Sequence, residues 1–265
     1  MSAEMITPDR ILCDWARKEL TFKDPVKRGD KGAKAKLVQE WLCLNGNRVV
    51  IDGGFGPATE SAVRLFQQSQ GLEETGVVDS ATFQALTAPM LRVLATPSQY
   101  NTYTDLVVQC AQQHLAENPR EVGGANCGPW VRLYMQGNQG ASYPWCAGFV
   151  SFILKQAADI MKVSMPLKYT YSCDTLAAQA MAKGSFVSEK DLARGKVSKT
   201  AMPGGSIFLR RRTKNDWEHT GLVMSFGEET FGTIEGNTND DGSREGFEVC
   251  ERTQAYASKD FIKIA

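Results

Sequence analysis

Cys146 lies in the run "YPWCAGFV", Tyr143 to Val150, where Pro144 and the apolar stretch after the cysteine mark the start of a helix. A cysteine attacks as the thiolate, and a helix N-terminus favours that charge through its unpaired N–H groups and its dipole. Such a nucleophile needs a base that takes its proton and delivers it to a leaving amine. The chain has two histidines, His114 and His219. His114 falls late in a helical segment, where an exposed imidazolium suits the dipole. His219 opens the β-rich run "HTGLVMSF", in which alternation puts His219, Gly221 and Val223 on one face. Gly221 beside the base is expected to leave room for a substrate. In "TIEGNT", Glu235 and Asn237 share a strand face, and either group can orient an imidazole. Together these residues are the set required for acyl transfer from an amide. Cys127, in a loop ahead of a short helix, is a rival without a supporting motif. Cys13, Cys43, Cys110, Cys173 and Cys250 read as structural or incidental.

Composition narrows the classes. Lys plus Arg and Asp plus Glu each number 30, with 12 of each sign up to Pro97 and 18 beyond it. Neither half carries the basic excess of a nucleic-acid binder. The seven cysteines contain no CxxC pair, which argues against a structural zinc site and a disulfide framework. The odd count leaves a free thiol, consistent with synthesis in the cytoplasm. The start, "MSAEMITPDRILCDW", has no uninterrupted apolar core and is not a Sec signal peptide. Nowhere do enough apolar residues run together to insert in a membrane.

The elements that must position these groups fall into two domains. Residues 1–24 read as a helical extension, with Ile11, Leu12, Trp15 and Leu20 on one face of "DRILCDWARKELTF". Residues 25–90 hold three short helices. The first carries Leu37, Trp41 and Leu44. The second follows "IDGGFGPATE", with Pro57 in its first turn and Ala62, Val63 and Phe66 as its apolar stripe. The third is capped by Asp79, with Phe83 and Leu86 inward. Pro89 and Pro97 bracket a linker, 91–103. From 104 to 265 helices precede strands, the order of an α+β domain with one antiparallel sheet. The helix at Cys146 is apolar nearly all round and belongs at the centre of that domain. "RRRTKNDW", Arg210 to Trp217, reads as a solvated hairpin loop.

Two stretches also resemble known families. "RGDKGAKAKLVQEWL", "IDGGFGPATESAVRLFQQSQGL" and "TGVVDSATFQAL" resemble the three helical segments of the peptidoglycan-binding domain 1 family. "NCGPWVRLYMQGNQGASYPWCAGFV", "GGSIFL", "EHTGLVMSF" and "TIEGNT" resemble the CHAP family of cysteine, histidine-dependent amidohydrolases and peptidases, a papain-like fold. That second resemblance implies Cys146 as nucleophile, His219 as base, Glu235 as orienting residue and Asn237 as an additional polar member. It also implies substrate contacts at Asn126 and Trp145. Gly148 replaces an alanine frequent in the family, a small departure. Some members hold calcium in an acid-rich loop, but "EVGGANCGPW" has one acid, so no metal or other cofactor is expected. Together the resemblances imply a monomeric peptidoglycan hydrolase, an amidase or endopeptidase, that acts on the cell wall after release as a phage lysin or injection as an interbacterial effector. An effector would have an immunity protein and a secretion machinery as partners. The other reading is a wall-binding protein with an inactive hydrolase-like fold.

Overall fold

The computed structural model of the chain describes residues 13–239 and 246–264. Its contacts divide into two interleaved units: Met1–Ala95 with Arg120–Gly140, and Thr96–Pro119 with Ala141–Ala265. Residues 120–140, which the sequence assigns to the second domain, therefore pack with the first.

The first unit is helical. It contains α1 (Asp14–Leu20), α2 (Ala33–Leu44), α3 (Pro57–Ser69), α4 (Ser80–Leu94) and α6 (Pro129–Tyr134). Ile11 and Leu12, expected on the first helix, lie outside the described residues. In α2 Trp41 is buried as expected, together with Val38 and Leu42, while Leu37 and Leu44 are only half-buried. Pro57 opens α3, whose Ala62, Val63 and Phe66 are buried. Asp79 caps α4 by accepting from the Thr82 N–H at 2.8 Å. Pro89 does not end α4. The helix continues to Leu94 because Met90 and Val93 are buried and hold the turn that follows the missing N–H.

The glycine-rich loop between α2 and α3 is tied from inside. The Asp52 carboxylate accepts from the Gly54 N–H at 2.8 Å, and Gly53 adopts a φ of 73°. The buried amide of Gln39 donates to Asp52 and to the Gly54 carbonyl and accepts from the Gly53 N–H. Gln67 does the same for the loop after α3, donating to the Val77 carbonyl and accepting from the Gly76 N–H. The D-G-x-F-G-P-x-T run and its downstream F-Q are thus parts of two buried amide clasps.

The second unit holds α5 (Tyr103–Ala116), α7 (Cys146–Met161), α8 (Cys173–Ala182), α9 (Glu189–Ala193) and six strands. These are β1 (Phe186–Val187), β2 (Ile207–Thr213), β3 (Asp216–Phe226), β4 (Thr230–Thr238), β5 (Glu248–Ala255) and β6 (Lys259–Ile262), in the order β1-β6-β2-β3-β4-β5 with every pairing antiparallel. Helix α7 is buried on nearly all sides, as its composition demands, and packs against α5, β3 and β4. The segment "RRRTKNDW" is a hairpin between β2 and β3 with Arg212, Thr213, Lys214 and Asn215 exposed, and ion pairs tie its arginines. Arg210 pairs with Glu218 at 3.1 Å, Arg211 with Asp260 at 2.7 Å, and Arg212 with Asp216 at 2.5 Å.

Candidate active site

Cys146 is the first residue of α7 and is buried. The residue before it, Trp145, supplies no side-chain cap, whereas α4, α5 and α8 are each capped by Asp79, Thr102 or Ser172. The first-turn N–H groups of α7 are therefore available to a negative charge. The Ala147 N–H points at the Cys146 sulfur.

His219 sits on β3 and Glu235 on the neighbouring β4. The His219 Nε2 lies 2.8 Å from Glu235 Oε2, and both side chains are buried. The Glu235 Oε1 accepts from Thr233 Oγ1 at 2.6 Å and from Gln254 Nε2 at 2.8 Å. Burial opposes ionisation of Glu235, yet these donors and the imidazole outweigh it and hold the carboxyl below its usual range. Three donors on an acceptor-only group fix it in place and so fix the ring.

The other ring nitrogen, Nδ1, has no hydrogen-bond partner in range, and the charge it responds to is that of Cys146. Burial alone would lower the imidazole; the interactions with Cys146 and Glu235 reverse this and raise it to about 9. Cys146 moves the opposite way. The Cys173 thiol, then His219 and the Ala147 N–H, overcome burial and hold it well below the ordinary thiol value. The site therefore favours a thiolate–imidazolium pair, and contacts of this kind tighten when a substrate closes over them.

This pairing sets a pH profile. Below the depressed thiol value Cys146 gains a proton and the nucleophile is lost; above about 9 His219 loses its proton and the acid is lost. Turnover is expected to stay flat through neutrality and to fall on an alkaline limb near 9. Rates on a soluble wall-peptide amide across the acid-to-alkaline range check this. An alkaline limb at the ordinary histidine value of 6.5 would count against the ion pair.

The remaining sequence-predicted positions divide. Asn237 is buried, adopts a φ of 56° at a break in the β4–β5 register, and lines a cleft of about 270 Å³ that also exposes Cys146. Gly221 does not leave room for a substrate. A Cβ there would come within 2.8 Å of Glu235 Cγ and of Phe208 Cε1, so its missing side chain admits the carboxylate. Trp145 is fully buried and cannot meet a substrate; its ring lies where a Cβ on Gly236 would stand, at 2.8 Å. Asn126 belongs to the first unit, where its N–H reaches Glu121 at 2.7 Å and its carbonyl accepts from Gly140 at 2.7 Å. His114 is buried rather than exposed. It lies 3.1 Å from Gln156 Oε1, between the Phe149 and Phe152 rings, and burial pushes it down to about 3.

The residue that sequence reasoning missed is Cys173. Its sulfur lies 4.0 Å from that of Cys146, and both thiols are free. The signal was present in "YSCDTL", where a serine N-cap precedes a cysteine at a helix start. The cleft beyond the two sulfurs is walled by Asp174, Arg212, Asp216, Trp217 and Glu218.

Residues 31–86 match the family described as "Putative peptidoglycan binding domain". The first unit carries a peptidoglycan-binding domain. The chain is 33% identical over 69 residues to the zinc D-Ala-D-Ala carboxypeptidase of Streptomyces albus G, a match that covers 25% of this chain and 27% of that protein. Two solved structures are also similar. A peptidoglycan-binding protein from Clostridioides difficile, in complex with glutamine hydroxamate, is 36% identical over 25% of this chain and 44% of its own, with a TM-score of 0.24. The Burkholderia AP3 phage endolysin is 29% identical over 35% of this chain and 33% of its own, with a TM-score of 0.25. Likeness at these TM-scores carries no argument about the whole fold. Among the described residues no group of three or more His, Cys, Asp or Glu side chains is placed to hold a metal ion.

Proposed function

We propose that the second unit is a cysteine hydrolase cleaving an amide in the peptide part of bacterial peptidoglycan, while the peptidoglycan-binding domain keeps it at the wall. The observation that carries this reading is the buried His219, bonded to Glu235 on one side and facing the Cys146 thiol at an uncapped helix start on the other. In the reaction, the Cys146 thiolate attacks the carbonyl carbon, and the oxyanion that forms meets the Cys146 N–H at the start of α7. The His219 imidazolium gives its proton to the leaving amine, leaving a thioester on Cys146. His219, now neutral, takes a proton from water as the water attacks the thioester; the C–S bond breaks, the thiolate–imidazolium pair is restored, and the carboxylic acid product gives its proton to solvent. Glu235 holds the ring and its charge throughout. The binding domain raises the local concentration of wall peptides and adds nothing to the chemical step. Its substrate lies outside the cytoplasm, so the protein works there after release or injection.

Mass spectrometry of fragments released from purified sacculi tests this. Wild type is expected to release peptides whose new termini identify the bond, and Cys146→Ala none, while both sediment with the wall. Equal release by the two proteins sinks the mechanism.

A further inference from the structure

Cys146 and Cys173 each open a helix, α7 and α8, and their sulfurs meet at 4.0 Å in a buried position beside the cleft. The uncapped N-terminus of α7 thus lies at one of the two sulfurs and favours a negative charge there, whereas Ser172 already caps α8. Both cannot ionise at that distance without direct repulsion, so one proton stays on the pair. The surroundings decide which sulfur keeps it. Cys146 faces the imidazole of His219 and the Ala147 N–H. Cys173 is followed by the carboxylate of Asp174, whose charge opposes a second anion there. Arg212, Asp216 and Glu218 are the other charged groups that line the cleft.

We propose that Cys173 is a positioning residue for hydrolysis: its S–H donates to the Cys146 sulfur, keeping that sulfur ionised and aimed at the cleft. This rests on Cys146 being the nucleophile. It gives the site a second donor to the thiolate that is independent of His219, and it assigns a task to a thiol that neither attacks nor titrates in turnover. It also explains why α8 begins with a cysteine at the one point where its first side chain meets α7.

The test reads the thiolate directly. The alkylation rate of Cys146 by iodoacetamide is followed against pH, with the Cys146 peptide quantified by mass spectrometry so that the other six cysteines do not contribute. In Cys173→Ala the midpoint is expected to move up by roughly one pH unit, the usual scale for losing one hydrogen bond to a charged group. In Cys173→Ser, which keeps a donor of nearly the same size, a smaller rise is expected. The acid limb of wall cleavage should move with the midpoint. An unchanged profile in Cys173→Ala overturns the proposal, as do equal shifts in the two variants, which would reveal packing alone. Thermal melts of both variants confirm that they fold, and the serine variant carries the test if the alanine variant does not. Failure of the hydrolase reading is a separate outcome: wall cleavage by Cys146→Ala would end it and leave the alkylation profiles readable.

Discussion

Replacing His219 with alanine is expected to lower wall cleavage by on the order of 10³- to 10⁴-fold while leaving wall binding unchanged. That loss corresponds to about 4 to 5.5 kcal/mol of transition-state stabilisation. In the proposed reaction the imidazole acts twice, as acid toward the leaving amine and as base toward water, and His114 cannot replace it. His114 is buried between phenylalanine rings and held neutral. The thiol should also change: without His219 it loses a donor and an opposite charge, so iodoacetamide capture of Cys146 at neutral pH should slow. The effect is not additive with loss of the nucleophile. Cys146→Ala combined with His219→Ala should be no slower than either single variant, because the residues act as one unit. Initial rates on sacculi for the three variants decide it, and a double variant much slower than both singles would show that the two residues do not share a step.

The placement of the Cys146, His219 and Glu235 side chains was more legible than the division of the chain into units. A cysteine after Pro144 at the head of an all-apolar run marks a buried helix start from local pattern alone. Alternation along β3 and β4 puts His219 and Glu235 on one face of neighbouring strands, where they are bonded at 2.8 Å. What failed were inferences that depend on what lies across a gap. Gly221 looked like space for a substrate because periodicity shows that a side chain is missing, not which neighbour fills the space; the neighbour is Glu235. Trp145 looked like part of a binding surface because it adjoins the nucleophile, yet Gly236 opens a slot that takes it in. The nearness of Cys173 to Cys146 was hidden for a related reason. It is 27 residues from Cys146, and only the packing of α8 against β3 brings the sulfurs together. The helix ends were local and readable, as Asp79 and Pro57 illustrate. The return of residues 120–140 to the first unit was not, since its contacts bridge more than a hundred residues.

That return rests on Arg132 of α6, and Arg132→Ala is expected to destabilise the first unit by about 3 to 5 kcal/mol. The guanidinium bonds Glu19 of α1 through Nε at 2.6 Å and Nη2 at 2.8 Å, and Glu40 of α2 through Nη2 at 2.7 Å. It also donates to Gln139 at 2.8 Å. Both carboxylates are buried, so removing the arginine leaves two like charges facing each other, with Glu19 stripped of its counter-ion and Glu40 left only the Lys36 ammonium at 4.0 Å. The cost therefore comes from the orphaned carboxylates and not from the lost attraction alone. Two consequences separate these causes. Burial already pushes Glu19 up against the opposing pull of Arg132, and without Arg132 it should rise further. A carboxyl with a raised folded value penalises folding above its unfolded value and ceases to do so below it, so the deficit should shrink as the pH falls. Adding Glu19→Gln and Glu40→Gln to Arg132→Met should likewise restore most of the stability by removing the charges together. Urea melts of the wild type, Arg132→Ala and the triple variant at neutral and mildly acidic pH measure both effects. A pH-independent deficit that the triple variant fails to repair would overturn the account based on orphaned carboxylates.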